Sequence, residues 1–327
     1  MEESKKAKTN TANLVKNYIG IDIGGTTIKG AIINHSGDIL REARIETSAK
    51  GDGEGLRNNV VALVNEMVMG YGGFKSSFGG IGIGCPGLID SKRGMIVFSG
   101  NLGLNYYPLR SVVSDSLGMS VKVTNDANAA ALGEAKFGAG KKYKDSILIT
   151  LGTGVGGGIV VDGKLFEGGS SAGTEIGHTV IVEDGEPCTC GRKGCFEAYS
   201  SATALIRKTK EVMQENEDSA MWKKYNLKMV SGKTAFDYAE TDEAAKSVVD
   251  WYVKYLACGV TNLANIFRPQ VVMLGGGVAA QKDKLTKPVQ KLLDKQIFAG
   301  QGYAGVKVVT ASLGNKAGVY GAAALNM

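Results

Sequence analysis

The stretch "YIGIDIGGTTIKGAIINHSGDILREARIET", residues 18–47, reads as a strand, a Gly/Thr turn, a second strand, a turn at Ser36-Gly37-Asp38 and a third strand. Residues 146–168, "SILITLGTGVGGGIVVDGKLFEG", follow the same plan, with the second turn at Asp162-Gly163. Two copies of one unit indicate a duplicated domain; a solenoid needs more repeats. Between and after the copies, helical and extended patterns alternate. Residues 54–69, 197–215 and 242–267 carry helical periodicity, the last with Val248, Val249, Tyr252, Tyr255 and Leu256 on one face and Pro269 behind it. "GGIGIGCPGLID" (79–90) and "VVMLGGGV" (271–278) read as buried strands running into glycine turns, the second followed by another helix. "VKVTNDANAAALGEAKFGAG" (121–140) reads as a strand entering an Ala-rich helix that stops at Gly138. Such alternation specifies an α/β protein of two related lobes.

Composition narrows the functional classes. With 43% hydrophobic and 21% charged residues among 327, the chain can build a sizeable core. It has no run of 18 apolar residues, and its polar start lacks the apolar segment of a signal peptide, so no membrane partner is expected. The net charge of +6 comes from scattered lysines without a basic stripe, which argues against nucleic acid but suits an anionic ligand. Five cysteines and no secretion signal fit a reducing, cytoplasmic setting.

Two familiar phosphate motifs do not apply. Gly152-Thr153-Gly154-Val155-Gly156-Gly157 matches G-x-G-x-x-G, but a dinucleotide fingerprint must open a helix, and a strand follows here. "SGKT" at 231–234 has Leu227 where a P-loop needs its first glycine. What remains is a pair of hairpin turns, "DIGGTTIKG" (22–30) and "TLGTGVGGG" (150–158), offering backbone N–H groups and hydroxyls without bulk. They can wrap phosphate oxygens from two sides, although each could also be an ordinary tight turn. Asp126 stands at a strand-to-helix junction, where the helix dipole favours the anion; the same position is that of a plain N-cap.

Three of the five cysteines fall within "PCTCGRKGCFEA", residues 187–198. Cys188, Cys190 and Cys195, with His178 upstream, supply three thiolates and one imidazole, the donor set of a closed tetrahedral zinc site. With four protein ligands such a zinc is structural. It would organise a loop carrying Glu175 and Glu197. Cys85 and Cys258 lie in apolar stretches and are expected to be buried.

Together these residues resemble the ROK family of repressors, open reading frames and sugar kinases, over roughly residues 18–323. "CTCGRKGCFE" fits the family signature C-x-C-G-x-x-G-C-x-E, and "EIGH" (175–178) stands where the family has it. The resemblance implies a two-lobed actin-like ATPase (ribonuclease H-like) fold with duplicated domains. Residues 1–17 would form a mobile tail, 18–124 with 311–327 the smaller N-terminal lobe, and 125–310 the larger lobe with the zinc loop. It further implies ATP and Mg²⁺ as cofactors beside zinc. Asp22, Gly24, Gly25, Thr26, Thr27 and Lys29 would form the first phosphate turn, with Asp22 near Mg²⁺, and Gly152, Thr153 and Gly154 the second. Gly275, Gly276 and Gly277 would border the adenosine. Asp126 would be the catalytic base. Asn125, Asp126, Glu175, His178 and Glu197 would contact sugar hydroxyls, with Pro86, Gly87 and Asn101 along the sugar loop.

The family's repressors carry an additional N-terminal DNA-binding domain, and fewer than 20 residues precede the first strand here, so the kinase reading is preferred. A homodimer is the expected partner state. Many glucokinases of the family have Trp after "NLG"; this chain has Leu104. Glucose is the first expectation as acceptor, with N-acetylmannosamine, N-acetylglucosamine, fructose and allose as alternatives. A sugar-sensing regulator without chemistry fits less well, because Asp126 and both phosphate turns are present. An actin-like filament protein has no use for the zinc loop with its two glutamates.

Overall fold

The computed structural model describes residues 16–171, 173–300, 302–303 and 305–327. Of the expected N-terminal tail, residues 1–15 lie outside the described residues. Strands β1 (Asn17–Ile23), β2 (Thr27–Ile33), β3 (Ile39–Glu46), β4 (Phe78–Cys85) and β8 (Val121–Asn125) form one five-stranded sheet in the order β3-β2-β1-β4-β8. The second sheet contains β9 (Ser146–Leu151), β10 (Val155–Val161), β11 (Lys164–Phe166), β12 (Val271–Gly275) and β13 (Lys307–Thr310), in the order β11-β10-β9-β12-β13. In each sheet the three hairpin strands are antiparallel and the last two join in parallel. The duplication read from two turns therefore extends to ten strands and their order. A small antiparallel sheet of β5 (Leu88–Asp90), β6 (Met95–Ser99) and β7 (Leu104–Tyr107) extends from the first.

Helices cover both sheets. α1 (Gly53–Tyr71) and α2 (Leu109–Leu117) pack on the first. α1 starts at Asp52, whose side chain accepts the Gly55 N–H, and ends at Gly72 with φ of 77°. It buries Leu56, Val60, Leu63, Val64 and Met67 against Ile19, Ile21 and Ile83. The second sheet carries α4 (Phe196–Ser200), α5 (Ala202–Glu215), α6 (Thr234–Tyr238), α7 (Glu243–Phe267) and α8 (Asp283–Gln296). The expected single helix over 197–215 is two, because Ser201 is extended and caps α5 through the Ala204 N–H. On α7, Val248, Tyr252 and Leu256 are fully buried, while Val249 and Tyr255 sit half-buried at the margin. Each fully buried aliphatic side chain contributes about 1.5–3 kcal/mol. Cys85 is buried as expected; Cys258 is only half-buried.

Two short helices tie the sheets together. α3 (Asp126–Phe137) carries the chain from β8 of the first sheet towards β9 of the second, and α9 (Ala317–Ala324) brings it back from β13 to pack on β1 and β4. They cross almost backbone to backbone. A Cβ on Gly321 of α9 would lie 1.5 Å from the Ala129 carbonyl, and one on Gly133 of α3 would lie 2.3 Å from the Ala317 carbonyl. Gly20 of β1 and Gly82 of β4 leave the same room for Val319 and Ala322 on the other side of α9. No helix among the described residues is long and apolar enough to cross a membrane.

Gly321→Ala is expected to force this crossing apart and lower stability by about 1–3 kcal/mol, the usual cost of overpacking. Thermal unfolding measures it; a melting temperature equal to wild type would mean that the helices separate freely.

Candidate active site

The N-terminus of α3 opens into the cleft between the lobes. Asn125, the last residue of β8, has extended backbone and caps the helix: its Oδ1 accepts from the Ala127 N–H (2.9 Å) and the Asn128 N–H (3.2 Å). Its Nδ2 donates to the Gly87 carbonyl at 3.0 Å. The plain N-cap reading of Asp126 is thus corrected, because the cap is Asn125. Asp126 is the first helical residue, and its Oδ1 meets the Ala127 N–H at 2.9 Å. Gly87 has φ of 110°, a conformation suited to glycine, and a Cβ there would strike the Phe98 carbonyl at 2.3 Å. The Pro86-Gly87 turn therefore lies directly beside Asn125. Asn101 is exposed two residues past Ser99, whose backbone lies against Gly87.

Asp126 shares a cavity of about 240 Å³ with Asp22, Lys29, Thr150, Gly314 and Asn315. Asp22 and Lys29 oppose one another across the β1–β2 pairing. Burial pushes the Asp126 carboxyl above the usual aspartate range, against the backbone N–H groups and the Asn125 side chain that favour its anion. Burial likewise raises Asp22; the Lys29 cation opposes that shift and the Asp126 charge adds to it. A second cavity of about 290 Å³ is lined by Gly275, Gly276, Ala279, Lys282, Thr310 and Ala311. Gly276 has φ of 81°, and a Cβ there would lie 2.5 Å from the Leu151 backbone, so the β12 turn can hug the second hairpin only as glycine. The two cavities adjoin, with Ala130, Thr150, Gly314 and Ala317 lining both. Gly277 begins the following single turn and does not line it.

Each Gly/Thr turn is closed through the N–H of its first glycine and held from outside by another segment. In the first, the Gly24 N–H donates to the Thr27 carbonyl at 3.0 Å, and Thr47 straps the turn through its N–H to Thr26 and its Oγ1 to Gly24. Gly25 and Thr26 form its exposed tip. In the second, the Gly152 N–H donates to the Gly154 carbonyl at 3.0 Å, and the start of α5 holds it through Ala202 N–H to Gly152 and Thr203 Oγ1 to Thr153.

His178, Cys188, Cys190 and Cys195 converge, with ligand atoms all within 4.8 Å of one another. His178 Nδ1 stands 3.6 Å from Cys188 Sγ, and the Cys190 and Cys195 sulfurs are 3.7 Å apart. Zn–S bonds of about 2.3 Å at tetrahedral angles require a sulfur separation of about 3.8 Å, so the donor set fits a small tetrahedral cation. Glu175 and His178 flank a short turn packed on β10, and Thr174 beside them donates to Asn128 of α3 at 3.2 Å. Glu197 stands apart from the Asp126 cavity. Its Oε2 accepts the Val155 N–H of the second turn at 3.0 Å, its Oε1 accepts from Thr189 at 3.2 Å, and it lines a separate pocket with Thr153, Cys188 and Arg207.

Several site residues escape the sequence reading. Gly314 and Asn315 enter the cleft from the crossover between β13 and α9, a segment with no motif of its own. Glu167 accepts from Thr124 Oγ1 (2.5 Å), one residue before Asn125, and from Ser91 Oγ (2.7 Å), pinning the start of the loop that leads to Glu175.

Duplicated sheets closing on a cleft with two half-buried carboxyl groups are the architecture of the actin-like ATPases. The sequence profile of the ROK family matches residues 18–327. The glucokinase of Halalkalibacterium halodurans is 40% identical over 313 residues, covering 93% of each chain. The ROK glucokinase of Streptomyces griseus, solved with glucose and AMPPNP, superposes with a TM-score of 0.76 at 34% identity, covering 94% of this chain and 98% of that one. The ROK hexokinase of Thermus thermophilus gives 0.79 at 30% identity, with 94% and 96% covered. This chain belongs to the ROK family.

Proposed function

We propose that the protein is an ATP-dependent glucokinase that transfers the γ-phosphoryl group of ATP to the 6-hydroxyl of glucose. The observation that carries this is the pair of adjoining cavities, the Gly275–Gly276 slot and the one at Asp22 and Asp126, in a chain 40% identical to a glucokinase over 93% of its length. Asp126 accepts the proton of the attacking hydroxyl while the new O–P bond forms and the bond to ADP breaks. A carboxyl raised by burial is a better proton acceptor than an ordinary aspartate. Phosphoryl transfer is mainly positioning and charge neutralisation. The turns at Gly24–Thr27 and Gly152–Gly154, with Lys29, supply the positioning. Asp22 would hold Mg²⁺, which would supply charge neutralisation on the phosphates.

Glucose is held by Asn125 and the Pro86-Gly87 turn on one side, with Asn101 beside them, and by Glu175 and His178 on the other. Zinc is the metal that the three sulfurs and the imidazole suit best. With His178 Nδ1 turned to the sulfur cluster, its Nε2 carries the proton and is left to donate to a sugar hydroxyl. Glu197 is a further sugar contact in this reading, and because it already holds the Val155 N–H it would link the sugar to the second phosphate turn.

The direct test is coupled measurement of ADP release across a hexose panel. ADP release is expected to require sugar and to be most efficient with glucose; hexose binding without ADP release would make the protein a sensor instead. Asp126→Asn is expected to lower kcat by about 10²–10⁴, the range for losing general-base catalysis. Retention of a third of wild-type kcat would remove Asp126 from that role. For the metal, elemental analysis is expected to find one zinc per chain, and Cys190→Ser to lose it together with glucose affinity. Full activity in protein stripped of metal by a chelator would contradict a structural zinc.

A further inference from the structure

Glu134 is a carboxyl group with no solvent exposure, on α3 two turns beyond Asp126, and the catalytic scheme above makes no use of it. Both of its oxygens are occupied. Oε1 accepts the Leu313 N–H at 2.6 Å; Oε2 accepts the Ala139 N–H at 2.9 Å and the Ser312 hydroxyl at 3.3 Å. The partners belong to different crossings between the lobes. Ala139 follows α3, where the chain passes from the first sheet to the second. Ser312 and Leu313 belong to the return from β13 to α9. Gly314, the next residue, lines both the Asp22–Asp126 cavity and the slot at Gly275–Gly276.

The surrounding sequence is shaped to this carboxyl. Gly138 ends α3, and a Cβ there would lie 2.0 Å from Glu134 Oε2. At its φ of −107° the obstacle to a side chain is the carboxyl itself.

We propose that Glu134, which itself borders the slot at Gly275–Gly276, is a positioning residue for the nucleotide: it clips the returning crossover to α3 and so fixes the wall at Ala311 and Gly314 against which the nucleotide binds. This rests on reading the cleft as the ATP site. Replacing the carboxyl by an amide leaves the volume unchanged but turns one acceptor into a donor facing an N–H. The wall then loosens while Asp126, Asn125 and the sugar loop keep their contacts. Losing one buried hydrogen bond and opposing two donors predicts a change of about tenfold or more in nucleotide affinity.

The experiment compares wild type with Glu134→Gln and Gly138→Ala, by calorimetry with AMPPNP and by steady-state kinetics with ATP and glucose. The expected result is AMPPNP affinity and ATP KM both weakened about tenfold or more in each variant, with glucose KM at saturating ATP within about twofold of wild type. Gly138→Ala reaches the same carboxyl from outside, so it decides the matter under the same criteria if Glu134→Gln does not fold. Unchanged AMPPNP affinity, or ATP and glucose KM rising together as in a general loss of structure, would overturn the proposal. A wild type that binds AMPPNP but does not phosphorylate glucose would reject the glucokinase reading and leave the calorimetric comparison valid. A wild type that does not bind AMPPNP would overturn both.

Discussion

The structure depends on how closely α3 and α9 cross. Both helices run between the sheets, and the Cβ positions of Gly133 and Gly321 would fall inside the opposing backbone. Nothing larger than hydrogen fits, so the lobes meet at a fixed separation through a contact made of main chain. The cleft inherits that separation. Asp126 starts one of the two helices, Gly314 and Asn315 lead into the other, and Asp22 reaches α9 where Gly318 leaves space for its carboxyl.

Against that rigid joint the cleft stores electrostatic cost. Two aspartates are enclosed in one cavity, and burial raises both carboxyls. The protein reduces this cost without removing it, by Lys29 opposite Asp22 and by the helix-start N–H groups around Asp126. Division of labour at the helix start is central. Asn125 takes the capping role, while the Asp126 carboxyl meets the Ala127 N–H and lines the cavity. A side-chain cap made by Asp126 itself would have lowered its basicity.

The parts legible in the sequence were those written in local pattern. The two Gly/Thr hairpins gave the duplication, because a turn of that composition needs a strand on each side. The spacing of Cys188, Cys190 and Cys195 gave a ligand cluster, because short loops leave sulfurs little choice of separation. Contacts that join distant segments were not legible. Glu134 looks like an ordinary helix residue until Leu313, 179 positions away, is folded onto it. Glu167 looks like a polar turn residue until Ser91 and Thr124 reach it. Glu197 looks like a residue of the cysteine loop alone until its carboxyl meets the second Gly/Thr turn, where Gly154 has no side chain to keep it out. Local pattern places such residues on an element but does not say which side of the cleft they serve.

The claim that the rest of the account serves is that Asp126 works as a buried base. Its most direct measurement is the pH dependence of kcat/KM for glucose at saturating ATP. Only the ionised carboxyl can take a proton, so activity must fall as pH drops through the Asp126 pKa, and burial places that pKa above the ordinary aspartate range. The account predicts an acid limb with its midpoint above the ordinary aspartate value of about 3.9, and no such limb in the residual activity of Asp126→Asn. A midpoint at or below that value, or the same limb persisting in the variant, would contradict it.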